Sequence, residues 1–144
     1  MDRPAFERLR DMPGKVVVAD IRFVAKRDLS PLHVAEGIRI DNEAGEDLRL
    51  TITYNAKLGS KSLNVHVPGM GPICRLDVDG PAHRPAGRSH KHSLQTDRCP
   101  DRNLPDGVLD RPDLIGATVR TTITEFFRMA QITHDGNLDT PDGS

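Results

Sequence analysis

Residues 47–54 alternate polar and apolar almost without exception, with Leu48, Leu50, Ile52 and Tyr54 set against Asp47, Arg49, Thr51 and Thr53. Side chains alternate across a β-strand, so this run predicts a strand with one buried and one wet face. The neighbouring segments follow the same rule. Leu32, Val34, Ile38 and Ile40 are expected on one face, ahead of a turn at 41–45, and Leu63, Val65 and Val67 mark a further strand after Gly59-Ser60. Consecutive alternating strands on short turns predict an antiparallel meander.

Around this meander the signals change. Residues 2–12 read as a short helix, with Asp2 as cap, Pro4 in the first turn, and Phe6 and Leu9 on one side. The β-branched run at 15–25 reads as one strand, and residues 73–78 as another that sets Cys74, Leu76 and Val78 opposite Arg75, Asp77 and Asp79. A short strand is expected to start at His90, and 96–111 to be a long loop. Asp110 then caps a helix from Pro112, whose stripe is Ile115, Val119, Ile123, Phe126 and Ala130, widened by Phe127. The expected fold is α+β: an antiparallel, curved sheet of five or six strands with this helix and the N-terminal one packed on it. Residues 1–133 make one domain and the Asp-, Gly- and Pro-rich 134–144 a disordered tail.

Composition narrows the function. Acids balance bases to a net charge of −1, which argues against a generally basic nucleic-acid coat. No apolar run reaches the roughly 18 residues of a membrane span. The start, Met1-Asp2-Arg3-Pro4, carries no apolar leader, so the chain reads as cytoplasmic, with Cys74 and Cys99 as reduced thiols. Neither a Gly-rich phosphate loop nor a nucleophile elbow is present.

One stretch concentrates groups able to do chemistry. Between Arg75 and His92 lie Asp77, Asp79, His83, Arg84, Arg88, His90 and Lys91, and three of the six histidines fall within 83–92. If 73–79 pairs with 90–95, residues 80–89 form the connecting loop, and Asp77 and Asp79 face His90 and His92. Three chemistries suit such a ribbon. In the first, His83, His90 and His92 trade protons on a phosphodiester, Asp77 orients a histidine, and Arg75, Arg84, Arg88 and Lys91 bind phosphate. In the second, His90 and His92 share a Zn²⁺ with Asp77 or His83. In the third, Asp77 and Asp79 hold Mg²⁺ for nucleotidyl transfer. The plain alternatives are a polar strand end entering a turn and a solvated strand face. His33 and His66 fall on the polar faces of their strands and His134 at the edge of the tail; none is given a role.

The Arg75-Leu76-Asp77, Gly80-Pro81, His83 and His90-Lys91-His92 pattern resembles an uncharacterised bacterial and phage family over residues 48–132, and that likeness implies no activity. Asp77, Pro81, His83, His90, Lys91 and His92 also resemble the motif of TumE-type toxins of toxin–antitoxin pairs, although the doubled histidine after Pro81 is missing. That likeness implies a small toxin, a ribonuclease or nucleotidyltransferase-like enzyme acting on RNA or nucleotides and held inactive by an antitoxin protein. A different class of function is a non-catalytic metal-binding or protein-interaction module of a mobile element.

Overall fold

A computed structural model of the chain describes residues 3–27, 30–79, 90–92 and 108–143, with residues 90–92 and 108–110 described by their backbone pairing. Helix α1 (Arg3–Asp11) turns Phe6 and Leu9 inward, 0% and 4% exposed. Its last turn is closed by a buried lysine. Lys15 Nζ donates to the Leu9 and Arg10 carbonyls at 3.1 and 2.8 Å, filling acceptors that a helix end leaves unbonded. Burial pushes the Lys15 ammonium below its ordinary pKa.

The run expected as a single strand at 15–25 is divided into β1 (Lys15–Val17), β2 (Ile21–Arg22) and β3 (Val24–Ala25). The breaks arise because each piece finds a different partner. β1 pairs in parallel with β10 (Ile132–His134) and bridges to Asp41, β2 pairs in parallel with β11 (Leu138–Asp139), and β3 edges the main sheet. Val17 and Ile21 are fully buried while Val18 between them is exposed.

The main sheet runs β3, β4 (Leu32–Ile40), β5 (Leu48–Asn55), β6 (Lys61–Val67) and β7 (Gly71–Val78) as the expected antiparallel meander. Two three-residue strands, β8 (His90–His92) and β9 (Val108–Asp110), continue it to seven. Across the centre, Leu50 pairs with Val65 and Val65 with Cys74, while Ile52 pairs with Leu63 and Leu63 with Leu76. All of these are buried in one cluster with the helices. Each fully buried Leu, Ile or Phe contributes about 1.5–3 kcal/mol.

β4 departs from the expected pattern. Its register shifts between Ala35 and Ile38, where Gly37 sits at φ +67°, so a bulge inserts an extra position. Ala35, Ile38 and Ile40 therefore line up with Ile52, Leu50 and Leu48 on the apolar face, and Leu32 and Val34 with Asn55 and Thr53 on the other. His33 moves with them. It pairs with Tyr54 in the Ile52 phase, ring centroids 6.3 Å apart, and so is not on the polar face.

The C-terminal helix also starts later than expected. Asp110 ends β9, Pro112–Leu114 form one 3₁₀ turn, and α2 runs Val119–Ala130. Its cap is Thr118, whose side-chain oxygen accepts the Thr121 N–H at 3.1 Å. Ile115 is left 58% exposed, outside the stripe, whereas Val119, Ile123, Phe126, Phe127 and Ala130 are buried as expected. The central threonines stay helical by turning their hydroxyls inward along the helix: Thr122 and Thr124 donate to the Thr118 and Arg120 carbonyls.

Residues 135–143, expected to be a disordered tail, are ordered against the rest. Asp20 Oδ1 accepts the Asn137 N–H at 2.9 Å, Arg120 donates to the Leu138 carbonyl, and Asp142 accepts the Val119 N–H at 2.9 Å. His134 lies in β10, with Nε2 2.8 Å from the Ala19 carbonyl oxygen and its ring edge-on to Phe127. Polar composition misleads here because backbone pairing and caps, with Leu138 packed against the core, hold the segment. No helix among the described residues is long and apolar enough to cross a membrane.

Candidate functional site

The ribbon read from the sequence exists. β7 pairs antiparallel with β8, with Asp77 opposite His90, Leu76 opposite Lys91 and Arg75 opposite His92. The ladder continues one strand further than expected: β9 puts Asp110 in register with His90 on the side away from Asp77. His90 therefore occupies a position between two aspartates, and His92 one beside an arginine. Lys91 belongs to the opposite alternation phase, in line with the fully buried Leu76. His83, Arg84, Arg88 and Cys99 lie outside the described residues.

Within β7 the polar phase is tied together. Arg75 Nε donates to Asp77 Oδ1 at 3.2 Å, with the arginine side chain 41% exposed and the aspartate 12%. A charge-assisted bond of this kind favours the ionised carboxylate and fixes its direction. The Asp77 carboxylate is thus a nearly buried anion at the His90 register position, with a cation on its other flank.

Asp79 does not join them. Its backbone enters the left-handed region at φ +58°, so the strand's alternation ends and the side chain leaves the ladder. The carboxylate instead faces Lys61 Nζ at 3.3 Å and accepts the Gly116 N–H at 2.9 and 3.1 Å. Lys61, 6% exposed, also donates to the Gly59 carbonyl at 2.9 Å. This clasp fastens the ends of β6 and β7 to the turn before α2. The expected Asp77/Asp79 pair for Mg²⁺ therefore does not fit: the second carboxylate is turned to an ammonium. Among the described residues, no three His, Cys, Asp or Glu side chains converge as a metal site would require.

The same clasp forms one wall of a cleft of about 440 Å³, whose polar lining includes Tyr54, Lys61, Asp79, Thr118 and Asp142. Its charged groups are engaged with one another or with α2, which marks it as a joint between elements. On α2, Glu125 receives hydrogen bonds from Arg128 and from Arg111, the residue that follows β9, and these hold its carboxyl down at about 2.

Sequence reasoning missed two residues beside the ladder. Asn64 and His66 stand in the polar phase of β6, where Asn64 pairs with Thr51 and Arg75, and His66 with Arg49. Asn64 Oδ1 and His66 Nδ1 are buried and find no hydrogen-bond partner among the described residues. Leaving such atoms unbonded costs roughly 1–3 kcal/mol each, so each calls for an explanation. Alternation in 61–67 assigns both residues to the polar side, but only the packed sheet shows that their atoms are orphaned. Asp110 is likewise legible as an acid, but ahead of Pro112 it reads as a helix cap and not as the end of a strand. Comparison with family models, curated proteins and solved structures gives no match for this chain.

Proposed function

We propose that this chain is a small cytosolic toxin-like protein that acts on RNA or nucleotides, with His90, His92, Asp77 and Arg75 as its working groups. The observation that carries the reading is the cross-strand register, Asp77 opposite His90 and Arg75 opposite His92. In phosphodiester cleavage one imidazole takes the proton of the attacking ribose hydroxyl, whose oxygen bonds to phosphorus. A second gives a proton to the departing oxygen as its bond to phosphorus breaks. The Asp77 carboxylate, at the register position opposite His90, is the orienting acid of this reading. Arg75 supplies positive charge for the phosphoryl oxygens as charge builds on them. The sequence offers His83 as a further proton carrier. Asp110, in register with His90 on β9, adds a second acid at that position. The TumE-type resemblance adds an antitoxin protein as the expected partner.

The test is expression in a bacterial host together with incubation of the purified protein with RNA. Wild type is expected to arrest growth and cleave RNA, and His90→Ala or His92→Ala to remove both while the protein stays folded. A wild-type protein that is harmless and inert on RNA sinks the reading. Stoichiometric zinc that is lost in the His90→Ala/His92→Ala double variant would instead favour the non-catalytic metal-binding module.

A further inference from the structure

We infer that the polar face of the main sheet carries a nucleobase-binding subsite built on Asn64 and His66; its substrate class rests on the reading of the neighbouring ladder given above. Both side chains are only partly covered, yet Asn64 Oδ1 and His66 Nδ1 are buried and unbonded. Their neighbours are already engaged. Arg49 is bonded to Asp47 and to the Gly37 carbonyl, Thr51 Oγ1 accepts the Gly37 N–H, and Arg75 is bonded to Asp77. Among the described residues, these two polar atoms of one strand thus stay unbonded while the Arg75 Nε and Thr51 Oγ1 beside them are committed elsewhere. Buried polar atoms in this condition point to a missing bonding partner.

The required chemistry is specific. An amide oxygen only accepts, so a ligand must bring an N–H to Asn64, while an imidazole nitrogen takes either role according to its tautomer. A nucleobase edge presents a ring or amino N–H next to an acceptor. The spacing agrees as well. Residues two apart on a strand are about 7 Å apart, which suits one flat ring system bridging Asn64 and His66. Asn64 pairs with Arg75 and Arg75 with His92, so two ladder steps of about 4.8 Å separate the base position from the His92 position. That is the reach from a base to its own phosphate.

The test measures binding of the four ribonucleoside monophosphates and of ribose 5-phosphate to the full chain, alongside thermal unfolding and RNA cleavage. At least one nucleotide is expected to bind about tenfold more tightly than the sugar phosphate, the change for one good hydrogen bond. Asn64→Leu and His66→Phe should each remove that preference while unfolding at or above the wild-type temperature, because an unbonded buried polar group does not support folding. His90→Ala should keep the preference and lose cleavage. Equal binding of nucleotides and sugar phosphate, no binding of either, a preference that survives both substitutions, or loss of folding in both variants overturns the subsite even if RNA is cleaved. A base preference abolished by Asn64→Leu in a protein that cleaves no RNA keeps the subsite and discards the catalytic reading.

Discussion

Substitution of Asp79 separates a joint of the fold from a working carboxylate. Asp79→Asn preserves an acceptor for the Gly116 N–H and a residue type that tolerates the left-handed backbone at φ +58°. What it removes is the charge 3.3 Å from Lys61, whose side chain is 6% exposed and is left with the Gly59 carbonyl alone. Breaking a buried pair from one side costs roughly 3–5 kcal/mol, and the retained carbonyl bond puts the asparagine at the low end, about 3 kcal/mol. Asp79→Ala also loses the bond to Gly116 and places a Cβ in the left-handed region without local compensation. Each adds about 1 kcal/mol, for a total near 5 kcal/mol. Asp79→Gly relieves the backbone and should fall between them. Since a domain of this size is stable by roughly 5–15 kcal/mol, the alanine variant loses from about a third to all of it. Urea titration followed by circular dichroism reads the series directly. In a thermal melt the asparagine variant should drop by roughly 9 °C, at about 3 °C per kcal/mol. Lys61→Met in the same background completes a double-mutant cycle, and the two changes should couple by about 1 kcal/mol or more. An Asp79→Asn protein within about 0.5 kcal/mol of wild type, or a strictly additive cycle, refutes the clasp. So would a variant that lost RNA cleavage while keeping full stability, since Asp79 would then belong with Asp77.

Two further outcomes follow from the charges and the terminal strands. Glu125 is held at about 2 against an ordinary 4.5, so its share of stability is present above pH 4.5 and is lost as pH falls toward 2. Thermal melts of Glu125→Gln across that range should show a flatter acid limb than wild type, with little change at neutral pH, because the carboxylate is partly exposed and screened. A chain ending at His134 loses β11, the Asp20–Asn137 bond and the Asp142 cap on α2. The cap and four hydrogen bonds, two at Asn137 and one each at Asp135 and Leu138, at about 0.5–1 kcal/mol per bond amount to about 3–5 kcal/mol, or a melting point about 9–15 °C lower, whereas a truly disordered tail would leave it unchanged.

How much of this was legible depends on whether local pattern or a distant partner decides the outcome. Alternation in 48–54 and 61–67 identifies β5 and β6, and the His90–His92 strand with its pairing to Asp77 follows from the same rule. The bulge at Gly37 is silent because Val34 and Ile38 keep an even spacing, and only the Ala35–Ile52 register exposes the switch of face. Asp79 continues the alternation on paper, yet Lys61 and Gly116, far along the chain, draw it out of the ladder. Asp110 with Pro112 reads as a helix start, but pairing of 108–110 with β8 takes Asp110 into a strand, and the helix begins at Thr118 instead. Breaks at 18–20 and order beyond 134 share a cause: β1 and β2 are written for partners at the other end of the chain.

That arrangement has a consequence for the protein during its own synthesis. Asp20 and Asn137, bonded in the folded state, are 117 positions apart. At 5–20 residues per second, β1 and β2 leave the ribosome roughly 6–23 s before β10 and β11 exist. The meander needs only adjacent strands and can close in that interval, while two short strand edges wait. Residues 132–139 therefore act as a latch, and a chain cut short before them would keep those edges open to other chains.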